Sequence, residues 1–138
     1  MRSPLSCAAV MAASLMIFAG CGGLNGRYPV SGKVVYNGEP AVGATVIFVS
    51  KDAPSQTHQG VVGEDGTFTL AGPAGDGALP GEYTVLVEWK EGAGKSRGRS
   101  PGLSAPDRLK KRYLDPKKPL LTATVEAKTN NLPTFELK

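Results

Sequence analysis

Side chains able to do chemistry are scarce in this chain, and their spacing limits them further. His58 is the only histidine, and the two cysteines are Cys7 and Cys21. Acid–base or nucleophilic catalysis needs a base set against a nucleophile, or carboxylates that face one another. One histidine and a free cysteine assemble no triad. A lone histidine in an alternating stretch reads as a solvent-facing or edge residue, so His58 is given no role. Asp65 and Asp76 sit in glycine-rich turns but lack the repeated carboxylates of a calcium loop, and they read as turn formers. No enzyme, metal site or cofactor is expected.

Charge is the one concentrated chemistry. Between Lys90 and Lys118 ten Lys or Arg stand against Glu91, Asp107 and Asp115, a net of +7, whereas the chain after residue 20 is otherwise −4. Such a cluster attracts anions, and Arg97, Arg99, Arg108, Lys110, Lys111 and Arg112 are its candidate contacts. Phospholipid head groups, acidic polysaccharide and lipopolysaccharide phosphates fit that chemistry. Trp89 and Tyr113 offer a second reading, a groove that stacks a sugar or small apolar ligand, although alternation puts Trp89 at the core or its rim.

Cys21 carries chemistry of a different kind. One positive charge at Arg2 precedes an apolar stretch from Ala8 to Ala19, too short for the roughly 20 apolar residues of a bilayer span. Phe18, Ala19 and Gly20 then lead into Cys21, which resembles the lipobox of bacterial lipoproteins. The resemblance implies cleavage between Gly20 and Cys21 and acyl chains on Cys21. With Cys7 in the removed leader, no disulfide or thiolate metal site would survive. Two or more acyl chains hold stably where one holds marginally. Residues 1–20 are thus read as a signal peptide, and 21–28 as a lipidated cysteine with a flexible tether reaching about 15 Å by random-coil scaling. Gly22 is not the Asp linked to inner-membrane retention, which points to the outer membrane, facing the periplasm or the surface; nucleic acid is disfavoured by that compartment.

The elements that must position these groups are strands. From Pro29 the apolar residues alternate, most clearly at Tyr83, Val85, Val87 and Trp89. The same pattern predicts strands over Val30–Tyr36, Thr45–Ser50, His58–Gly63, Thr67–Leu70, Leu120–Ala127 and Thr134–Leu137, seven in all. Asn37-Gly38 and Asp65-Gly66 supply the positive φ of tight hairpins. Residues 29–138 are therefore expected to form an all-β, seven-stranded, Ig-like sandwich. Its predicted inward set is Val34, Tyr36, Val46, Phe48, Val62, Phe68, Leu70, Tyr83, Val85, Val87, Leu121, Ala123, Val125, Phe135 and Leu137. Within the basic loop a short helix is predicted, with Ser104 as its cap, Pro106 in its first turn, Leu109 and Tyr113 on one face, and Asp115-Pro116 as its end.

Three motifs carry a family resemblance: Ser31 to Pro40 with Gly43 to Phe48, then Asp65 to Leu70, then Pro80 to Val85. Together they resemble carboxypeptidase regulatory-like domains, which have a transthyretin-like sandwich and occur in small bacterial lipoproteins. The resemblance implies a structural or binding module, because fold alone does not carry function. The transthyretin-like hydrolases of the purine pathway use several histidines and a terminal Tyr-Arg-Gly-Ser. This chain ends Phe135-Glu136-Leu137-Lys138 and does not match. The expected function is that of a lipid-anchored, non-catalytic envelope module, with the membrane and an anionic envelope polymer or protein as partners. The alternative is a carbohydrate or small-ligand binder.

Overall fold

Period-two alternation leaves one apolar face per strand, and two sheets bury those faces against each other. A computed structural model describes residues 26–72, 75–94 and 104–138. Cys21, Gly20, Arg97 and Arg99 lie outside the described residues. Eleven strands follow in chain order: β1 (Val30–Tyr36), β2 (Glu39–Pro40), β3 (Thr45–Ser50), β4 (Thr57–Val61), β5 (Thr67–Thr69), β6 (Ala71–Gly72), β7 (Gly75–Asp76), β8 (Gly81–Glu88), β9 (Leu121–Val125), β10 (Asn130–Asn131) and β11 (Phe135–Leu137). The architecture is an all-β sandwich. Its strand count exceeds the seven expected because β2, β6, β7 and β10 have two residues each, too few to display an alternation.

One sheet is built around β1, whose first half pairs with β5 and β10 and whose second half pairs with β2 and β11. The pairings with β10 and β11 are parallel, so the last two strands run alongside the first. The other sheet has the order β7-β6-β4-β3-β8-β9. Asn37 and Gly38 take φ of 50° and 88° in the β1–β2 turn, the left-handed pair that a two-residue hairpin needs.

The core follows the predicted inward set. All of its members are buried except Tyr36, Leu121 and Ala123, which pack against the buried cluster. Phe48 sits between the rings of Phe68 and Tyr83 at centroid separations of 6.2 and 5.9 Å, and Phe68 stacks on Phe135. Val30, Ala41, Ala44, Ala78, Trp89, Leu109 and Tyr113 join them. Thr84 and Leu86 on the opposite face of β8 are also nearly covered, as suits a strand flanked on both edges by β3 and β9.

The helix expected after Ser104 does not form. Residues 108–113 are a run of turns, with Lys110 and Lys111 at φ of 53° and 59°, a left-handed pair through which no right-handed helix can continue. Three-residue turn bonds replace it: Lys110 N–H to the Asp107 carbonyl, Arg112 N–H to that of Leu109, and Leu114 N–H to that of Lys111. Tertiary contacts override helix propensity here. The segment must span from β8 to β11, and the Val87 N–H donates to the Tyr113 carbonyl while the Lys138 N–H donates to the Tyr113 hydroxyl. Leu109 and Tyr113 do share the inward face expected of them.

Strand direction gives the sandwich two poles. Arg27 and Tyr28 enter beside the start of β1, where Tyr28 bridges Ala78, while Tyr36 at the other end of β1 meets Trp89 at 5.6 Å and pairs with Leu137. Seven residues of β1 separate the two poles by about 20 Å at the usual strand rise.

Candidate binding site at the carboxy-terminal pole

Asp107 organises the basic segment. Its Oδ1 accepts the Trp89 N–H at 2.8 Å and the Leu109 N–H at 3.2 Å, and its Oδ2 accepts the Lys111 N–H at 2.7 Å. Further along, the Asp115 carboxylate accepts the Lys117 N–H at 2.9 Å. Of the three carboxylates inside the segment, those of Asp107 and Asp115 are thus committed to backbone donors. Charge-assisted bonds of this kind are about twice as strong as neutral ones.

Four of the cations around them make no ion pair with a carboxylate. All twelve Asp and Glu of the sequence fall within the described residues, and the ion pairs there are Lys51–Glu82, Lys90–Glu88 and Lys128–Glu126. Arg108, Lys110, Lys111 and Arg112 are exposed and make none of these pairs. Two of them are oriented by aromatic rings. The Arg108 guanidinium lies 3.9 Å from the Trp89 ring centroid, a cation–π contact, and Arg112 lies 6.0 Å from the Tyr113 ring while donating to the Lys138 carbonyl at 3.1 Å. We call residues 107–113 the basic strap.

Beneath the strap, Trp89 is held on all sides. Its indole N–H donates to the Val42 carbonyl at 2.9 Å, and its carbonyl accepts the Arg108 N–H at 2.7 Å. Trp89 is 6% and Tyr113 7% exposed, so neither ring presents a face on which a sugar could stack. Gly43 makes this close assembly feasible. It has φ of +81°, and a Cβ there would collide with the backbone of Ala93 and Gly94.

At the amino-terminal pole, His58 departs from its expected solvent-facing position. It is 2% exposed and lies on the core face of β4, with the Tyr83 ring 6.0 Å away edge-on. Arg27 can only donate, so at 3.5 Å from its guanidinium the His58 Nδ1 accepts and the ring proton belongs to Nε2. That Nε2 is buried without a partner. Burial, reinforced by the Arg27 charge, holds the His58 pKa below its ordinary value. Burial pushes the Tyr83 hydroxyl up while it donates to the Leu79 carbonyl at 2.8 Å.

Asp65 remains in its turn, whereas Asp76, read as a turn former, lies in β7 opposite Ala71 of β6. Asp65 accepts both the N–H and the hydroxyl of Thr67, which lowers its pKa, chiefly through the hydroxyl. Among the described residues no three His, Cys, Asp or Glu side chains gather where a metal ion could sit. An open groove of about 330 Å³ runs along Thr124, Glu126, Lys128, Thr129, Asn130, Asn131 and Leu132. It has no aromatic ring, and the Asn130 amide is already used on the carbonyls of Glu126 and Lys128.

Two roles escaped the sequence: Asp107 as organiser and His58 as a buried group. Pro106-Asp107 carried a turn signal, since Asp side chains bond backbone N–H groups just ahead of them. No protein-family model matches the chain, and no curated protein matches it.

Proposed function

We propose that this protein is a lipid-anchored, non-catalytic module of a bacterial cell envelope, held by acyl chains on Cys21 and binding anions through its basic strap. The observation that carries the reading is Asp107, which gives both carboxylate oxygens to backbone N–H groups and leaves Arg108, Lys110, Lys111 and Arg112 without acidic partners. A surface built for stability alone gains from pairing such charges, and here the carboxylates are used to shape the turn instead. The anchor rests on Phe18, Ala19 and Gly20 before Cys21. Membership of the carboxypeptidase regulatory-like, transthyretin-like lipoproteins is supported by the left-handed Asn37-Gly38 turn within a two-sheet sandwich.

Mass spectrometry of the protein recovered from envelopes tests the anchor. Acylated Cys21 as the first residue is the expected result, in the outer-membrane fraction of a two-membrane cell. Unmodified Cys21, or full solubility after lysis, overturns it.

A further inference from the structure

We infer that the basic strap docks an acidic polysaccharide on the side of the domain away from the anchoring membrane, so that the domain links the two. The inference rests on the anchor at Cys21 proposed above. The tether joins at Arg27, whose guanidinium meets His58, and Tyr28 fixes the entering chain against Ala78. The strap closes over Trp89 and the last residue at the other pole.

Lengths decide which anion the strap can reach. The body alone puts the strap about 20 Å from Arg27 along β1. Screening at physiological ionic strength has a decay length of about 8 Å. With the domain upright that is more than two decay lengths, and the leaflet exerts little pull on Arg108, Lys110, Lys111 or Arg112. A flexible polymer that diffuses to the outer pole meets no such limit.

The strap's surface chemistry selects among partners in the same direction. Leu109 and Tyr113 point inward and Trp89 lies under Arg108, so the outward side of the turn offers cations and no aromatic or aliphatic anchor. Interfaces between folded proteins draw most of their affinity from buried anchors of that kind, whereas a polyanion needs only repeated charge contacts. The left-handed Lys110 and Lys111 present two of those contacts from adjacent residues.

The test measures polygalacturonate binding, with neutral dextran as control, by the full chain in neutral detergent, in phosphatidylcholine vesicles and in vesicles rich in phosphatidylglycerol. Binding should be alike in all three settings, should fade as salt rises, and should be absent with dextran. Replacing Arg108, Lys110, Lys111 and Arg112 together by Ser should weaken it by more than about tenfold. Lys110→Gly with Lys111→Gly suits the left-handed backbone and should weaken it about threefold or more, with the circular dichroism spectrum unchanged. Equal binding by these variants, or no binding in detergent, overturns the inference. Loss of binding only on phosphatidylglycerol vesicles also overturns it, because the strap would then serve its own leaflet. An unmodified Cys21 in the native protein defeats the anchor alone, and the detergent measurement still decides the ligand.

Discussion

The two poles of the sandwich treat charge in opposite ways. At the amino-terminal pole Lys51 pairs with Glu82 at 3.2 Å and Lys128 with Glu126, while the buried His58 Nε2 has no partner. At the carboxy-terminal pole the buried polar groups of Trp89 and Tyr113 are satisfied, while the exposed cations Arg108, Lys110, Lys111 and Arg112 lack acidic partners. Where a carboxylate goes makes the difference. Glu82 and Glu126 neutralise neighbours and do little for the fold, whereas Asp107 builds the fold and neutralises none of the four. Exposed ion pairs are worth about 0–1 kcal/mol, and a buried donor left unsatisfied costs about 1–3 kcal/mol.

The sharpest way to break this contrast is Asp107→Ala. It strips acceptors from the N–H groups of Trp89, Leu109 and Lys111, and should lower unfolding free energy in urea by about 3 kcal/mol. Asp107→Asn, which keeps one carbonyl oxygen, should fall between. A loss below about 0.5 kcal/mol, the range of ordinary surface changes, would mean that the strap is not organised by this carboxylate.

Next in size is Gly77→Ala at the other pole. Gly77 has φ of +83°, and a Cβ there would strike the Tyr28 carbonyl, so a loss of about 2 kcal/mol is expected together with release of the entering chain. Faster proteolysis near Arg27 would report the release. An unchanged cleavage rate would refute it.

His58 gives a smaller, pH-dependent effect. Its pKa is depressed in the folded protein, so the unfolded chain binds the proton more readily, and stability present above about pH 6.5 is lost as pH falls through the folded value. His58→Phe should abolish that slope in a series of urea midpoints, and should gain about 1 kcal/mol at neutral pH by removing an unpaired N–H. A flat profile in the wild type would contradict the burial argument. Smallest of all, Glu82→Gln should change stability by less than about 0.5 kcal/mol, because its pair with Lys51 is exposed.

Alternation made most of the sandwich legible before any coordinates. β1 and β3 have the predicted bounds, and the predicted inward set matches the core because period two ties each residue to a face. His58 is legible by the same logic, since it lies four residues before the inward Val62 and so faces the same way, although a lone histidine in an alternating stretch reads as solvent-facing. The strap was not legible as a fold. Leu109 and Tyr113 have helical spacing, and only the demand to reach from β8 to β11 makes Lys110 and Lys111 left-handed. The cations themselves were visible as composition. Which of them the protein neutralises depends on Asp107, and that is set by tertiary contact.

The parallel run of β10 and β11 beside β1 has a mechanical consequence. Because β1 is entered at one pole and β11 is left at the other, tension between residues 27 and 138 pulls β1 and β11 in opposite senses along their common axis. The ladder bonds of Val34 to Tyr36 with Phe135 to Leu137 then share the load in shear instead of opening one after another. Pulling single molecules by residues 27 and 138 should give a higher rupture force than pulling by residues 27 and 40, which peels the β1–β2 hairpin bond by bond.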